Sequence, residues 1–163
     1  MIKYFKISED LTEELEDELL EFLNRLEESD TCKIFFNSAG GDSSVADKFI
    51  TIFNYDIRIK EIIFYWQCSS GGFKILCNVL SDKRTINKDI WSVVHRQSRE
   101  VSTTDLLNKD EHTQFLINNM EKSNNKYREY LEKIGFNEEQ LKLYDEGKDI
   151  YLEYEDIINL NIW

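Results

Sequence analysis

The segment KIFFNSAGGD, residues 33–42, carries the chain from an apolar run into a double-glycine turn. The apolar run Lys33–Phe36 predicts a short buried strand, and Asp42 or Ser43 can cap the helix that follows. The chain has no proline and only six glycines, so adjacent glycines mark a place where the backbone takes an unusual conformation. The segment therefore predicts a strand, a tight turn and a helix that starts at once.

The same arrangement occurs a second time further along the chain. The apolar strand Ile62–Trp66 runs into the small-residue turn Cys68–Gly72, which contains the second glycine pair. A helix is predicted after this turn because apolar residues recur at helical spacing, at Phe73, Leu76, Val79 and Leu80. Two strand–turn–helix units in succession are typical of an α/β fold.

The flanking sequence continues this alternation. Without a linker, a repeat or a low-complexity segment, we expect one α/β domain spanning residues 1–163, with a long helix at about residues 110–134. The other predicted elements are a strand at residues 2–7, a helix at 11–27, strands at 84–86 and 90–94, and a short closing helix around residues 157–160.

Composition restricts the class of protein. Hydrophobic residues make up 41% of the chain and charged residues 32%, which is the balance of a globular protein. No apolar run reaches the roughly 18–20 residues of a membrane span, so we expect no membrane partner. No signal peptide is predicted, and the cytoplasm is the expected compartment. The three cysteines lack CxxC spacing, which disfavours a disulfide framework and a zinc site.

Charge argues against nucleic acid as a partner. The formal net charge is −12, and a chain this acidic is poorly suited to contact a phosphate backbone. The acidity is concentrated in residues 1–31 and 129–163, where we interpret it as solvated helix faces.

The second turn carries a candidate nucleophile. Backbone N–H groups at the start of a helix are unpaired and suit an oxyanion, and a serine there lies near the positive end of the helix dipole. Ser70, directly before Gly71, has this position. Alternative interpretations are that Ser69 or Ser70 only caps the helix, or that Cys68 is the nucleophile.

Two further residues complete a catalytic set. His95 ends the predicted strand at 90–94, and Asp149 precedes an apolar run. Each of them alone is more typical of a structural or surface residue. Together with Ser70 they supply a nucleophile, a base and an orienting carboxylate, and such triads are recognised by role and geometry.

These residues lie in motifs that resemble the Clp protease proteolytic subunit (ClpP) family. Phe35–Gly41 followed by Ala46 resembles the family's INSPGG…A motif, and Gln67–Gly72 resembles its QAASMG nucleophile turn. Lys83-Arg84 followed by Val93–Arg96 resembles the KR…MIHQ segment. Residues 148–157 resemble the RDRFLSAPEA segment, so the resemblance covers the chain from about residue 34 to the end.

Spacing between the motifs strengthens the resemblance. Gly41 and Ser70 are 29 positions apart, and Ser70 and His95 are 25 apart, which matches the family without a gap. The resemblance implies that Ser70 is the nucleophile, His95 the general base and Asp149 the orienting carboxylate. It also implies that the backbone N–H groups of Gly41 and Gly71 hold the oxyanion.

The resemblance implies a spiral of ββα units shared with the crotonase superfamily, with a projecting long helix. It implies a serine endopeptidase that hydrolyses peptides or unfolded proteins, without a metal or cofactor. Subunits of this kind form homo-oligomeric rings whose active sites face an enclosed chamber. The sequence begins almost at the first predicted strand, without the family's axial loops, so an unfoldase partner is not expected.

Departures from the family keep two other functions open. Ala39 replaces the family's proline, Gly71 replaces a bulkier residue, and the sequence after His95 lacks the glycine-rich strand. A catalytically weak or inactive relative that scaffolds or regulates other subunits is the second hypothesis. Acyl-CoA chemistry of the crotonase type is the third, since it uses the same two oxyanion donors.

Overall fold

A computed structural model describes residues 1–97 and 111–162 of the chain. The two strand–turn–helix units are present, and their strands are longer than predicted. The second helix ends at Asn78, so the prediction that Val79 and Leu80 belong to it is wrong, because the backbone is already extended at Val79. β2 spans Thr31–Ser38 and leads into α2, Ser43–Tyr55, while β3 spans Ile59–Cys68 and leads into α3, Gly71–Asn78. Along the whole of β2, buried residues alternate with half-buried ones, as expected for a strand. The polar residues at both ends of the predicted apolar run therefore belong to the strand as well.

The N-terminal elements agree with the sequence except at the two ends of α1. β1 spans Ile2–Ile7, as predicted. α1 spans Glu13–Asn24 and is shorter than the predicted helix at residues 11–27. The Thr12 hydroxyl accepts a hydrogen bond from the Leu15 N–H at 3.2 Å and caps α1, so the helix cannot include Leu11.

The sheet is built from parallel neighbours. β2 lies between β1 and β3 and is parallel to both. After α3, a 3₁₀ turn at Ser81–Lys83 leads into β4, Arg84–Ile86, and then β5, Trp91–Val94. The middle of β3 pairs with β4, whereas its end pairs with β5 through Gln67 and Trp91.

The later part of the chain is mainly helical. α4 spans Glu111–Lys133, close to the predicted helix at 110–134, of which residue 110 lies outside the described residues. α5 spans Glu138–Asp145 and was not predicted. β6, Ile150–Glu153, was also not predicted and follows β5 in the sheet order β1-β2-β3-β5-β6. α6, Tyr154–Ile158, corresponds to the predicted closing helix.

The chain forms two compact units, and the α/β class predicted from sequence is confirmed. The first unit comprises residues 1–94 and the chain from residue 151 onward, and its core lies between the sheet and the helices α1, α2 and α3. The second unit comprises residues 95–150. A single domain over residues 1–163 stays a prediction. Among the described residues of the second unit, the buried apolar ones are Leu131, Ile134, Phe136, Leu141, Tyr144 and Ile150.

None of the helices in residues 1–97 and 111–162 is long and apolar enough to cross a bilayer.

Candidate active site

The turn between β3 and α3 holds Ser70 in a strained conformation. Its backbone angles are φ 52° and ψ −117°, a region that residues with a side chain rarely adopt. A serine on a sharp strand-to-helix turn of this kind presents its hydroxyl above the turn, as the nucleophile elbows of serine hydrolases do. The Ser70 side chain makes no capping hydrogen bond to α3. The interpretation of Ser70 as a helix cap is therefore not supported.

Ser69 and Cys68, the alternative candidates for the nucleophile, are both buried. Ser69 is buried, and its Oγ accepts a hydrogen bond from the Val93 N–H at 2.9 Å. Cys68 is fully buried, and burial raises the pKa of its thiol far above the ordinary value. A thiol that stays protonated is a poor nucleophile. Ser70, which is half-buried, is the candidate with an available hydroxyl.

The Ser70 turn is fastened to strand β5. The Ser70 N–H donates to the Val93 carbonyl at 2.8 Å, and the Ser92 hydroxyl donates to the Cys68 carbonyl. Together with the Ser69 bond, three hydrogen bonds fix the turn against this strand. The strained conformation of Ser70 can persist because the surrounding contacts determine it.

The double-glycine turn lies directly against the Ser70 turn. Gly40 has φ 120°, and a Cβ placed on it would lie 2.7 Å from the Ser70 Cβ and 2.9 Å from the Ser69 carbonyl oxygen. No side chain fits at that distance. Glycine at position 40 is therefore what allows the two turns to approach each other.

Leu11 and Ser38 hold the glycine turn in place. The Leu11 N–H donates to the Gly40 carbonyl at 2.7 Å, and the Asp42 N–H donates to the Leu11 carbonyl at 3.2 Å. The Ser38 Oγ also accepts the Gly40 N–H at 3.2 Å. The role of Leu11 was not predicted, because nothing in the sequence links this apolar residue to a turn 29 positions later.

Two backbone donors remain free at these turns. Within the described residues, neither the Gly41 N–H nor the Gly71 N–H donates a hydrogen bond to a protein acceptor. Gly71 is the first residue of α3, where the helix dipole adds positive potential. Ser70 and both predicted oxyanion donors thus belong to the first unit and occupy two turns in contact.

His95 is the first residue of the second unit and follows β5 directly. Its ring is half-buried, and Nδ1 lies 2.8 Å from the Arg96 carbonyl oxygen. Since a carbonyl oxygen only accepts hydrogen bonds, Nδ1 carries a proton, and in a neutral ring Nε2 then keeps its lone pair. This is the tautomer that a general base acting through Nε2 requires.

Asp149 lies near the end of the second unit, directly before β6, and is exposed. Among the described residues, no hydrogen bond joins His95 and Asp149. The structure therefore brings together Ser70, Gly41 and Gly71, and pairs His95 with a main-chain carbonyl. The assignment of all five residues to one active site stays a prediction.

The described residues offer no metal-binding cluster: no three His, Cys, Asp or Glu side chains in residues 1–97 and 111–162 lie close enough to share an ion. The three cysteines, Cys32, Cys68 and Cys77, are all buried.

Comparison with known proteins establishes the fold. No protein-family model matches the chain, and no curated protein matches it. Among solved structures, the chain is similar to a mutant of ClpP1 from Listeria monocytogenes, with a TM-score of 0.64 and 20% sequence identity. The match covers 98% of this chain and 87% of the ClpP1 chain. The chain therefore has a ClpP-like fold, which is the fold that the sequence resemblance implied.

Proposed function

We propose that the protein is a serine endopeptidase of the ClpP type, with Ser70 as its nucleophile. One observation carries this proposal: Ser70 occupies a strained elbow beside two unpaired backbone N–H groups, those of Gly41 and Gly71. A serine hydroxyl next to a pair of free donors is the arrangement that acyl transfer needs. The ClpP-like fold supports peptide bonds as the substrate class.

In the proposed mechanism, the Ser70 hydroxyl attacks the carbonyl carbon of a peptide bond. His95 Nε2 takes the hydroxyl proton and returns it to the leaving amine, and water then releases the acyl group by the reverse steps. The Gly41 and Gly71 N–H groups stabilise the negative charge on the carbonyl oxygen. Removing one such donor typically lowers the rate by about 10²–10³-fold.

The link between Ser70 and His95 is supported by chain connectivity. Val93 is hydrogen-bonded to both Ser69 and Ser70, and His95 follows Val93 by two residues. The base is thus tethered to the strand that fixes the nucleophile turn. The orienting role of Asp149 stays in the proposal on the resemblance alone, since the structure gives the Nδ1 hydrogen bond of His95 to the Arg96 carbonyl.

The proposal includes a homo-oligomeric ring in the cytoplasm that acts on peptides or unfolded proteins. Large aromatic side chains support self-association, since Tyr55 is 80% exposed and Trp66 is 60% exposed. Exposed aromatic surface of this kind is typical of interfaces.

Covalent labelling with a fluorophosphonate probe tests the proposal, because the probe reacts with an activated serine. We expect the wild type to be labelled and to cleave a fluorogenic peptide. Ser70→Ala should abolish both, while Ser81→Ala, which changes an exposed serine outside the site, should keep both. Native folding of each variant is checked by circular dichroism.

Three results would contradict the proposal. Labelling that survives Ser70→Ala would assign the nucleophile to another residue, such as Ser69 or Cys68. No labelling of the wild type would favour the non-catalytic scaffold. Binding of an acyl-CoA together with an unreactive Ser70 would favour chemistry of the crotonase type.

A further inference from the structure

A buried asparagine in the second unit holds the backbone just after His95. Asn124 lies on α4 and is 2% exposed. Its Oδ1 accepts the Gln97 N–H at 2.9 Å, and its Nδ2 donates to the Gln97 carbonyl oxygen at 3.2 Å. Two bonds to one residue fix the direction of that backbone, as a neighbouring β-strand would.

Tyr144 on α5 fixes the orientation of this asparagine in turn. The Tyr144 hydroxyl lies 3.2 Å from Asn124 Oδ1 and 3.3 Å from the Asn124 main-chain oxygen. Tyr144 is 1% exposed, and burial raises its pKa to about 12, so the hydroxyl stays a donor at neutral pH. A flipped amide would turn its NH₂ group toward the donors on Gln97 and Tyr144, which excludes that orientation.

The N–H that Asn124 accepts belongs to the same peptide group as the Arg96 carbonyl. A peptide group is planar, and no described peptide bond is cis, so its N–H and C=O point in opposite directions. By fixing the Gln97 N–H, Asn124 also fixes the direction of the Arg96 C=O. That carbonyl oxygen accepts the proton on His95 Nδ1 at 2.8 Å.

The Arg96 side chain attaches the same backbone segment to α5. Its guanidinium donates to the Asp145 carbonyl at 3.2 Å and lies 6.0 Å from the centre of the Tyr144 ring. The carboxylate of Asp145 is itself held by Arg128 through two contacts of 2.9 Å. The peptide that faces His95 is therefore attached to both α4 and α5.

We propose that Asn124 is a positioning residue that selects the Nδ1–H tautomer of His95 by fixing the peptide group between Arg96 and Gln97. Nδ1 is then held by a main-chain carbonyl, and the lone pair on Nε2 remains available for the serine proton. Asn124 touches neither substrate nor reacting atoms. The catalytic consequence rests on the proposed function, whereas the choice of tautomer does not.

Imidazole ¹⁵N chemical shifts test the proposal directly, because they distinguish the Nδ1–H tautomer from the Nε2–H tautomer. The full chain is labelled with ¹⁵N-histidine and measured at about pH 8.5, where a histidine is ordinarily neutral. The chain has two histidines, and His112→Gln assigns the His95 signals. We expect His95 to be mainly protonated at Nδ1 in the wild type.

Asn124→Ala should move His95 toward the Nε2–H tautomer. The matched control is Asn125→Ala, which changes an exposed neighbour on the same helix and should leave the His95 shifts unchanged. Unchanged His95 shifts in folded Asn124→Ala would overturn the proposal. If Asn124→Ala does not fold, Tyr144→Phe removes one bond to Oδ1 and should shift His95 in the same direction by less. Unchanged shifts in that variant would then overturn the proposal.

The rate of fluorophosphonate labelling links the tautomer to Ser70. We expect Asn124→Ala to slow labelling on the order of tenfold or more, since the wrong tautomer cannot accept the serine proton. If the wild type is not labelled but the tautomer depends on Asn124, the proposed function fails and the positioning role stands. If the wild type is labelled but the tautomer does not depend on Asn124, the proposed function stands and the positioning role fails.

Discussion

At the scale of single residues, Gly40 determines how closely the two turns of the candidate site approach. We expect Gly40→Ala to destabilise the fold by about 3 kcal/mol and to abolish labelling of Ser70. The new methyl group would lie 2.7 Å from the Ser70 Cβ, at a backbone φ of 120° that disfavours any side chain. Urea denaturation measures the free energy of unfolding, and the fluorophosphonate probe measures labelling.

Gly147→Ala is the matched control for this substitution. Gly147 also has a positive φ, of 71°, but a Cβ on it would meet no atom within 4 Å. This variant should lose only about 1 kcal/mol, from backbone strain alone, and should keep labelling. Equal losses of stability in the two variants would show that contact between the turns is unimportant.

Sequence motifs propose which residues form the site, but they do not predict the conformation of those residues. Ser70 was chosen over Ser69 and Cys68 by motif register, and the structure adds that the two rivals are buried. The positive φ of Ser70 was not predictable, because serine has no preference for that region. It is imposed by hydrogen bonds from β5, which lies more than 20 residues away in sequence.

At the scale of elements, Lys83 stabilises the C-terminal end of α2, although it lies far from that helix in the sequence. Its ammonium group donates to the main-chain carbonyls of Phe53, Asn54 and Asp56 at 2.9–3.0 Å. The last turn of α2 contains no basic residue, so Lys83 supplies the cation that suits a helix C-terminus. We expect Lys83→Met to lower the free energy of unfolding by about 2 kcal/mol in urea denaturation.

Lys88→Met removes the same charge from an exposed position between β4 and β5 and serves as the control. Its effect on stability should stay within about 0.5 kcal/mol. If both lysine variants lose equal stability, the effect comes from net charge, and the role of Lys83 at the end of α2 is wrong.

Elements were predictable where local chemistry determines them. The strands and helices of residues 1–94 follow apolar periodicity and the glycine pairs, whereas β6 was not predicted. The unpredicted helix α5 does carry a local signal, since Asn137 and Gln140 form a reciprocal capping box. Asn124 carries no such signal, because its partner Gln97 lies 27 positions away and the pairing exists only in the folded chain.

At the scale of the whole molecule, exposed aromatic residues predict self-association. Residues 53–66 contain five aromatic residues, of which Phe53 and Phe64 are buried in the core, whereas Tyr55 and Trp66 are exposed. We expect sedimentation at tens of micromolar protein to give a species heavier than 19.5 kDa. Trp66→Ser should shift that species toward the single chain, since it removes a large apolar contact.

Leu20→Ser is the control for association. Leu20 is partly exposed on α1, where the first turn alone contains Glu13, Glu14 and Glu16. Such an acidic surface repels a second copy of itself, so this variant should keep the mass of the wild type. A single species of 19.5 kDa for the wild type would contradict self-association.

The parallel pairing of β1, β2 and β3 has a consequence for how the chain folds. Parallel neighbours cannot be joined by a tight hairpin, and Ile2 pairs with Thr31 only after the intervening helix has formed a crossover. Contacts between residues so distant in sequence slow folding, because a loop must close before any strand pair is gained. The absence of proline removes the other common slow step, prolyl isomerisation. Until β2 has been synthesised, β1 lacks its strand partner, so we expect the exposed edges of β1 to make the nascent chain prone to aggregation.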